Sequence, residues 1–196
     1  MKQLKVGITG GIGTGKSTVA KILVALGYPV YFSDDRAKWL MENNQQLVTE
    51  LSHLLGNNTY VSGKLNRAYI AEKLFSTPAL KEKINALVHP VVRTDFKLWV
   101  ENQTQSIVFQ ESALLVETGA VQLFDALIVV TAPLEDRIKR IQKRDGLNTS
   151  DIERRFANQF SDEEKIKVAD FVLINDERSP LLNQVLTVLK QLNRLS

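Results

Sequence analysis

Eight residues, Gly10-Gly11-Ile12-Gly13-Thr14-Gly15-Lys16-Ser17, constrain this chain more than any other feature. The run fits G-x-x-x-x-G-K-[ST], a pattern that turns the backbone tightly where a side chain would collide and ends on a cation and a hydroxyl. Its setting adds to the constraint. Leu4 to Thr9 is a short apolar run that reads as a buried strand. Val19, Ile22, Leu23 and Leu26 then recur at helical spacing until Gly27 stops them. A strand, a glycine turn and a helix N-terminus in that order form an anion cradle, with inward N–H groups and the helix dipole aimed at the same point. Lys16 can reach β- and γ-phosphates, and the Ser17 hydroxyl can ligate Mg²⁺, so ATP and Mg²⁺ are the expected ligands.

Pro29 to Phe32 reads as a second strand and Asp34 to Met41 begins another helix, which makes the opening a βαβ unit. Residues 44–103 contain helical patterns (Leu47, Leu51, Leu54; Ile84, Leu87, Val88) and no convincing strand, with start signals at Asn66 and Thr77-Pro78. Strands resume at Ser106 to Phe109, Ala126 to Thr131 and Phe171 to Ile174. Between the last two lie a basic helix from Leu134 to Arg144 and capping boxes at Ser150–Glu153 and Ser161–Glu164. Pro180 opens a last helix with Leu182, Val185, Leu186 and Leu189 inward. The expectation is an α/β three-layer fold with a central parallel sheet, over one domain spanning residues 1–196. A helical insertion covers about 44–103.

Composition sets limits. Hydrophobic residues are 44% and charged residues 24%, so a packed core is expected rather than disorder. With 25 basic and 22 acidic residues the net charge is +3, too small to imply nucleic acid, though suited to small anions. There is no cysteine, hence no disulfide framework or thiolate metal site, and no pair of histidines has metal-ligand spacing. The first residues hold no apolar run long enough for a signal peptide or a membrane span, so a cytoplasmic location is expected.

Asp34 and Asp35 follow the second strand, and ligands in open α/β sheets bind beyond the carboxyl ends of strands. A carboxylate there would orient an acceptor hydroxyl, take its proton or contact Mg²⁺ through water; the competing use is helix capping by Ser33 or Asp34. Arg137, Arg140 and Arg144 share a helix face, either as a solvated surface or as cations for a transferring phosphoryl group, with Arg140 and Arg144 the candidates. His53 reads as structural, Trp39 and Trp99 as core, and His89-Pro90 as a junction between two helices or a substrate contact. The loop alone fits a kinase, a GTPase or an ATP-driven machine. No Asn-Lys-x-Asp guanine motif occurs and the chain is short, so a small-molecule kinase is the economical reading.

Taken in order, these motifs resemble the dephospho-coenzyme A kinase family over nearly the whole chain. They are Gly7 to Thr18, Leu26-Gly27-Tyr28-Pro29-Val30 leading to Asp34 and Ala37-Lys38, Leu65-Asn66-Arg67, Phe75, His89-Pro90 and Leu114-Leu115-Val116-Glu117. Arg140, Arg144-Asp145-Gly146, Gln159, Lys165, Ala169-Asp170 and Asn175 complete the set. The resemblance implies a P-loop nucleoside-triphosphate hydrolase-like core, a helical substrate region and a lid at about 140–165. It implies transfer of the ATP γ-phosphoryl to the ribose 3′-hydroxyl of dephospho-coenzyme A. Asp34, Lys16 and Arg140 would be catalytic. Gly11, Gly13, Thr14, Gly15, Lys16, Ser17, Thr18, Arg144 and Asn175 would hold the nucleotide, with Ser17 on Mg²⁺. Thr9, Asp34, Arg67 and His89 would hold the substrate. The partner is that small molecule, with no nucleic acid or membrane, and the protein would be a monomer or weak homo-oligomer. Phe32 stands where many members have a first aspartate. Glu111-Ser112-Ala113 replaces Asp-x-Pro, which makes Glu111 the acid nearest the expected Mg²⁺ position. The alternatives are a nucleoside monophosphate kinase-like enzyme and a nucleotide-binding switch without phosphotransfer.

Overall fold

β1 (Leu4–Thr9) lies at the centre of a parallel sheet, as an apolar strand covered on both faces should. A computed structural model describes residues 3–176 and 178–195. The sheet order is β2 (Val30–Phe32), β5 (Ile107–Glu111), β1, β6 (Ala126–Thr131) and β7 (Phe171–Ile174). Period-two alternation sorts the side chains between two layers. Val6, Ile8, Phe109, Ile128 and Val130 pack with Val19 and Leu23 of α1 (Lys16–Ala25) and with Val185, Leu189 and Leu192 of α9 (Leu181–Leu192). Leu127 and Val129 point the other way, against Leu115, Ala120 and Phe124. The three-layer α/β core expected from the sequence is therefore present. α1 ends where predicted, with the amides of Gly27 and Tyr28 donating back to Val24 and Leu23 (3.0 Å each).

One helix face and one helix cap differ from expectation. In α9 the buried stripe is Val185, Val188, Leu189 and Leu192, while Leu182 and Leu186 are exposed. Apolar spacings of three and four were available on two adjacent faces, and packing on the sheet buries one of them. α7 (Thr149–Phe156) starts from Asn148, whose side chain accepts the Asp151 amide at 2.9 Å, so the Ser150–Glu153 box does not form. An extended Asn two residues upstream caps first and leaves Ser150 inside the helix. The second box is present: Ser161 and Glu164 cap α8 (Asp162–Ile166) reciprocally. α6 (Leu134–Asp145) is the basic helix.

Residues 33–102 form a compact unit of their own, separate from residues 1–32 with 103–196, and it begins at Ser33 rather than near 44. It contains α2 (Ser33–Asn43), α3 (Gln45–Leu55), α4 (Arg67–Ser76) and α5 (Leu80–Glu101). A two-stranded hairpin, β3 (Tyr60–Val61) with β4 (Lys64–Leu65), sits in a region where no strand is expected from the sequence. Each of its strands is only two residues long, too short for any periodic signal. Pro90 does not separate two helices. α5 runs through it because Ile84, Val88, Val92 and Phe96 bury one continuous stripe across the proline. Arg36 clamps Asp95 with two bonds (2.7 and 2.9 Å), tying α2 to α5. Trp39 is not core: it is exposed, with the Arg36 guanidinium 4.1 Å above its ring. Trp99 is half-buried and stacks on Phe96, and His53 is exposed on α3.

In the sheet unit, Lys165 is fully buried, and its ammonium meets Glu117 Oε1 at 2.7 Å and the Ala113 carbonyl at 3.1 Å. The same carboxylate oxygen accepts the Phe160 amide at 3.0 Å. A buried pair of this kind is far more expensive to break than to replace whole. Lys165→Met should lower unfolding stability by about 3–5 kcal/mol, and Glu117→Leu with Lys165→Met should recover at least about half of that. Chemical denaturation of both variants checks this. A Lys165→Met protein as stable as the parent would contradict the burial.

Candidate active site

Between the end of β1 and the start of α1 the loop turns on glycine. Gly15 precedes the helix at φ +100° and Gly13 lies at φ +82°, backbone that other residues rarely adopt. A Cβ on Gly15 would also strike the Asn175 side-chain amide. The turn closes on itself through the Gly11 carbonyl, which accepts the Thr14 hydroxyl at 2.9 Å and the Lys16 ammonium at 3.2 Å. Lys16 and Thr14 are both buried.

The next three carbonyls are held from outside the loop. Arg137 Nε donates to Ile12 (3.0 Å), Arg140 to Gly13 (3.4 Å) and Asn175 Nδ2 to Thr14 (2.9 Å). Arg140 also donates to the Asn175 carbonyl at 3.0 Å, joining the two clamps. A trans peptide points its N–H opposite to its C=O. With the carbonyls of Ile12 and Thr14 fixed outward, the amides of Gly13 and Gly15 turn to the other side, the arrangement an anion requires.

Gly13, Gly15, Lys16, Ser17, Thr18, Lys21, Arg140, Ile141 and Arg144 line a cleft of about 270 Å³. Its charges are all cationic. Lys21 was not among the residues predicted from the sequence, although Ser17 to Lys21 is an i, i+4 step on α1 that places both on one face. Arg144 lines the cleft with its fork engaged by Asp145 (2.8 and 2.9 Å); that hydrogen bond holds the Asp145 carboxyl below its usual range, with Arg155 adding at 3.2 Å.

On the other side of the loop, Glu111 ends β5, paired in register with Ile8 of β1 and Phe32 of β2. Its carboxylate is buried and accepts the Ser17 hydroxyl at 3.5 Å. β5 still ends regularly, with the Ser112 amide donating to the Ile8 carbonyl at 3.0 Å, and Ala113, where the proline was expected, opens the turn that follows. Thr9, next to Ile8, is fully buried, and its hydroxyl has no partner among the described residues. A hydroxyl, a carboxylate and a second hydroxyl beside a phosphate cradle are hard oxygen donors, which suit Mg²⁺.

Asp34, Arg67 and His89 lie in the helical unit. Asp34 and Asp35 occupy the first turn of α2, where carboxylates suit the helix dipole, and both are exposed. Asp35 pairs with Lys38 at 2.9 Å. Arg67 is the exposed first residue of α4, after the Asn66 cap that accepts the Tyr69 amide. His89 is half-buried inside α5, and burial, helped by Arg93, pulls its pKa down, so it is neutral at pH 7.

The three arginines of α6 sit in different surroundings. Arg137, assigned no role from the sequence, is far more enclosed than Arg144, stacked on Phe156 (4.6 Å) and bonded to Asp162 (3.3 Å). Burial pulls its pKa below the usual arginine value, and the Asp162 carboxylate offsets only part of that. Gln159, noted from the sequence without a role, accepts the Ile12 amide at 2.8 Å.

A sequence model described as dephospho-CoA kinase matches residues 4–180. A dephospho-CoA kinase of Bacteroides fragilis is 38% identical over 187 residues, covering 95% of this chain and 91% of the relative. A crystal structure from Thermus thermophilus superposes with a TM-score of 0.84 at 36% identity and covers all of both chains. A dephospho-CoA kinase from Campylobacter jejuni superposes with a TM-score of 0.70 at 25% identity, over 97% of each. The match spans the loop, the sheet and the helical unit together, and on it the chain belongs to the dephospho-CoA kinase family.

Proposed function

We infer that the protein transfers the γ-phosphoryl group of ATP to the ribose 3′-hydroxyl of dephospho-coenzyme A, giving coenzyme A and ADP. Family membership supports the reaction, and the observation that carries it is the loop whose carbonyls are drawn outward by Arg137, Arg140 and Asn175. Lys16, with Gly11, Gly13, Thr14, Gly15 and Thr18 shaping the cradle, neutralises the β- and γ-phosphates. Arg140 bridges the loop and β7's end, and supplies a cation as charge redistributes in transfer. Arg144 and Asn175 serve the nucleotide side. Ser17 and Glu111 would hold Mg²⁺, which when bound neutralises phosphate charge.

Asp34 is the proposed catalytic carboxylate. β2 delivers the chain to the carboxyl edge of the sheet, where Phe32 pairs with Glu111, and Asp34 follows two residues later. The 3′-oxygen forms a bond to the γ-phosphorus as the bond to the β–γ bridging oxygen breaks. The electron pair leaves with ADP and the hydroxyl proton passes to Asp34. A loose transition state needs the hydroxyl aimed more than ionised, so orientation is the larger part of this role. Thr9, Arg67 and His89 are the proposed substrate contacts, and residues of about 140–165 the lid. The protein is placed in the cytoplasm as a monomer or weak homo-oligomer that uses no nucleic acid. Among the described residues, no helix is long and apolar enough to cross a membrane.

Asp34→Asn should lower kcat by roughly 10²–10⁴ with ATP affinity little changed, because asparagine can orient but cannot take the proton. Asp35→Asn should be much milder, its carboxylate being engaged by Lys38. Steady-state kinetics of the two variants checks the assignment; a normal kcat in Asp34→Asn would refute it. For the reaction as a whole, ADP formation should be compared with dephospho-coenzyme A, with AMP and with no acceptor. The dephospho-coenzyme A rate should exceed the AMP rate by on the order of 10² or more. Equal or faster turnover of AMP would favour a nucleoside monophosphate kinase-like enzyme, and ADP release indifferent to acceptor a nucleotide switch.

A further inference from the structure

Ile12 is the residue of the phosphate loop whose two backbone groups are both taken by side chains far away in sequence. Its amide donates to Gln159 Oε1 at 2.8 Å and its carbonyl accepts Arg137 Nε at 3.0 Å. The two side chains come from different elements: Arg137 from α6, and Gln159 from the segment between α7 and α8. That segment is in turn fixed to Arg137, by Phe156 under the guanidinium at 4.6 Å and Asp162 bonded to it at 3.3 and 3.4 Å. The loop is built to receive Arg137. A Cβ on Gly11 would collide with the guanidinium, and one on Gly13 would press on the Arg137 backbone carbonyl at 2.9 Å. Arg137 is itself mostly enclosed, with 12% of its side chain exposed.

We propose that Arg137 and Gln159 are positioning residues that lock Ile12 from both sides, so that the catalytic shape of the phosphate loop depends on the segment 156–162 being docked. Neither residue needs to touch a substrate. Arg137 gives Nε to Ile12 and Nη1 to Asp162, and Gln159 presents its carbonyl oxygen to the Ile12 amide. The physical consequence is directional. Fixing the Ile12 carbonyl fixes the peptide that carries the Gly13 amide, and a phosphate cradle tolerates little displacement, since about 1 Å of misplacement in a reacting geometry costs on the order of 10²-fold in rate. The proposal rests on the kinase reading above, and it places control of that chemistry in a segment about 150 residues from the loop along the chain.

The test uses the full-length protein with Gln159→Leu, Arg137→Met and the double variant. Hydrogen exchange at the Ile12 amide, followed by NMR without nucleotide, reads the clamp without any appeal to activity. Gln159→Leu should speed that exchange by about 10-fold or more while the amides of β1 stay as slow as in the parent. In turnover of ATP and dephospho-coenzyme A, each single variant should lose about 10-fold in kcat, with KM for dephospho-coenzyme A unchanged. The double variant should be no worse than about the stronger single, because both act on one residue. Thermal unfolding identifies an Arg137→Met protein that fails to fold, and Gln159→Leu then carries the test alone. Parent-like Ile12 exchange in Gln159→Leu, or parent-like kcat in that variant despite fast exchange, would overturn the proposal, as would losses that multiply to about 100-fold in the double variant. A parent enzyme inactive on dephospho-coenzyme A would instead remove the kinase reading and leave the exchange result to judge the clamp.

Discussion

Three side chains that pull carbonyl oxygens away from the phosphate loop determine what the rest of the sheet unit is arranged to do. A backbone rich in glycine has many conformations available, and glycine alone does not select the one in which amides converge. Selection comes from Arg137, Arg140 and Asn175, which bond the carbonyls of Ile12, Gly13 and Thr14. Because a peptide plane is rigid, the outward carbonyls of Ile12 and Thr14 commit the amides of Gly13 and Gly15 inward, while the Thr14 amide turns back to the Gly11 carbonyl at 3.4 Å. The elements that carry these side chains, α6 and the end of β7, are positioned by the sheet, since β6 pairs with β1 on one side and β7 on the other. The strand order thus sets where the phosphate charges are met.

Charge placement around the loop has the same logic. Lys16 is buried against the Gly11 carbonyl, whereas Lys21 lies exposed along the cleft with Arg140 and Arg144. The acid bonded to the loop's Ser17 hydroxyl is buried Glu111, at the end of β5. On the function proposed above, anionic phosphates would meet cations on the helix side, and Mg²⁺ a hard oxygen pair on the strand side. Lys165 and Glu117 hold the turn after Glu111 to the segment carrying Gln159, through Ala113 and Phe160.

Much of this was legible in the sequence, for physical reasons that differ by region. The loop was read from spacing alone, because its function needs backbone conformations that only glycine takes easily, and α1, the parallel strands and the Ser161–Glu164 cap followed from local patterns. What escaped was decided by tertiary packing. Arg137 differs from Arg140 and Arg144 only in what surrounds it, and three arginines on one face look alike in a sequence. Pro90 reads as a break until Val88, Val92 and Phe96 are seen to bury one face across it. Trp39 looks like core and instead serves as a platform for Arg36. The hairpin at 60–65 is too short to carry a period, and α9 presented two apolar faces of which packing chose one.

In the proposed reaction this loop directs a phosphoryl group onto one particular hydroxyl. Phosphorus NMR of the product made from ATP and dephospho-coenzyme A tests it most directly, because the new phosphomonoester is coupled to the proton on the carbon that bears it. The account predicts a single new phosphomonoester resonance coupled to the ribose H3′, growing in step with ADP. A phosphate on any other position, or ADP accumulating with inorganic phosphate and no new ester, would contradict it.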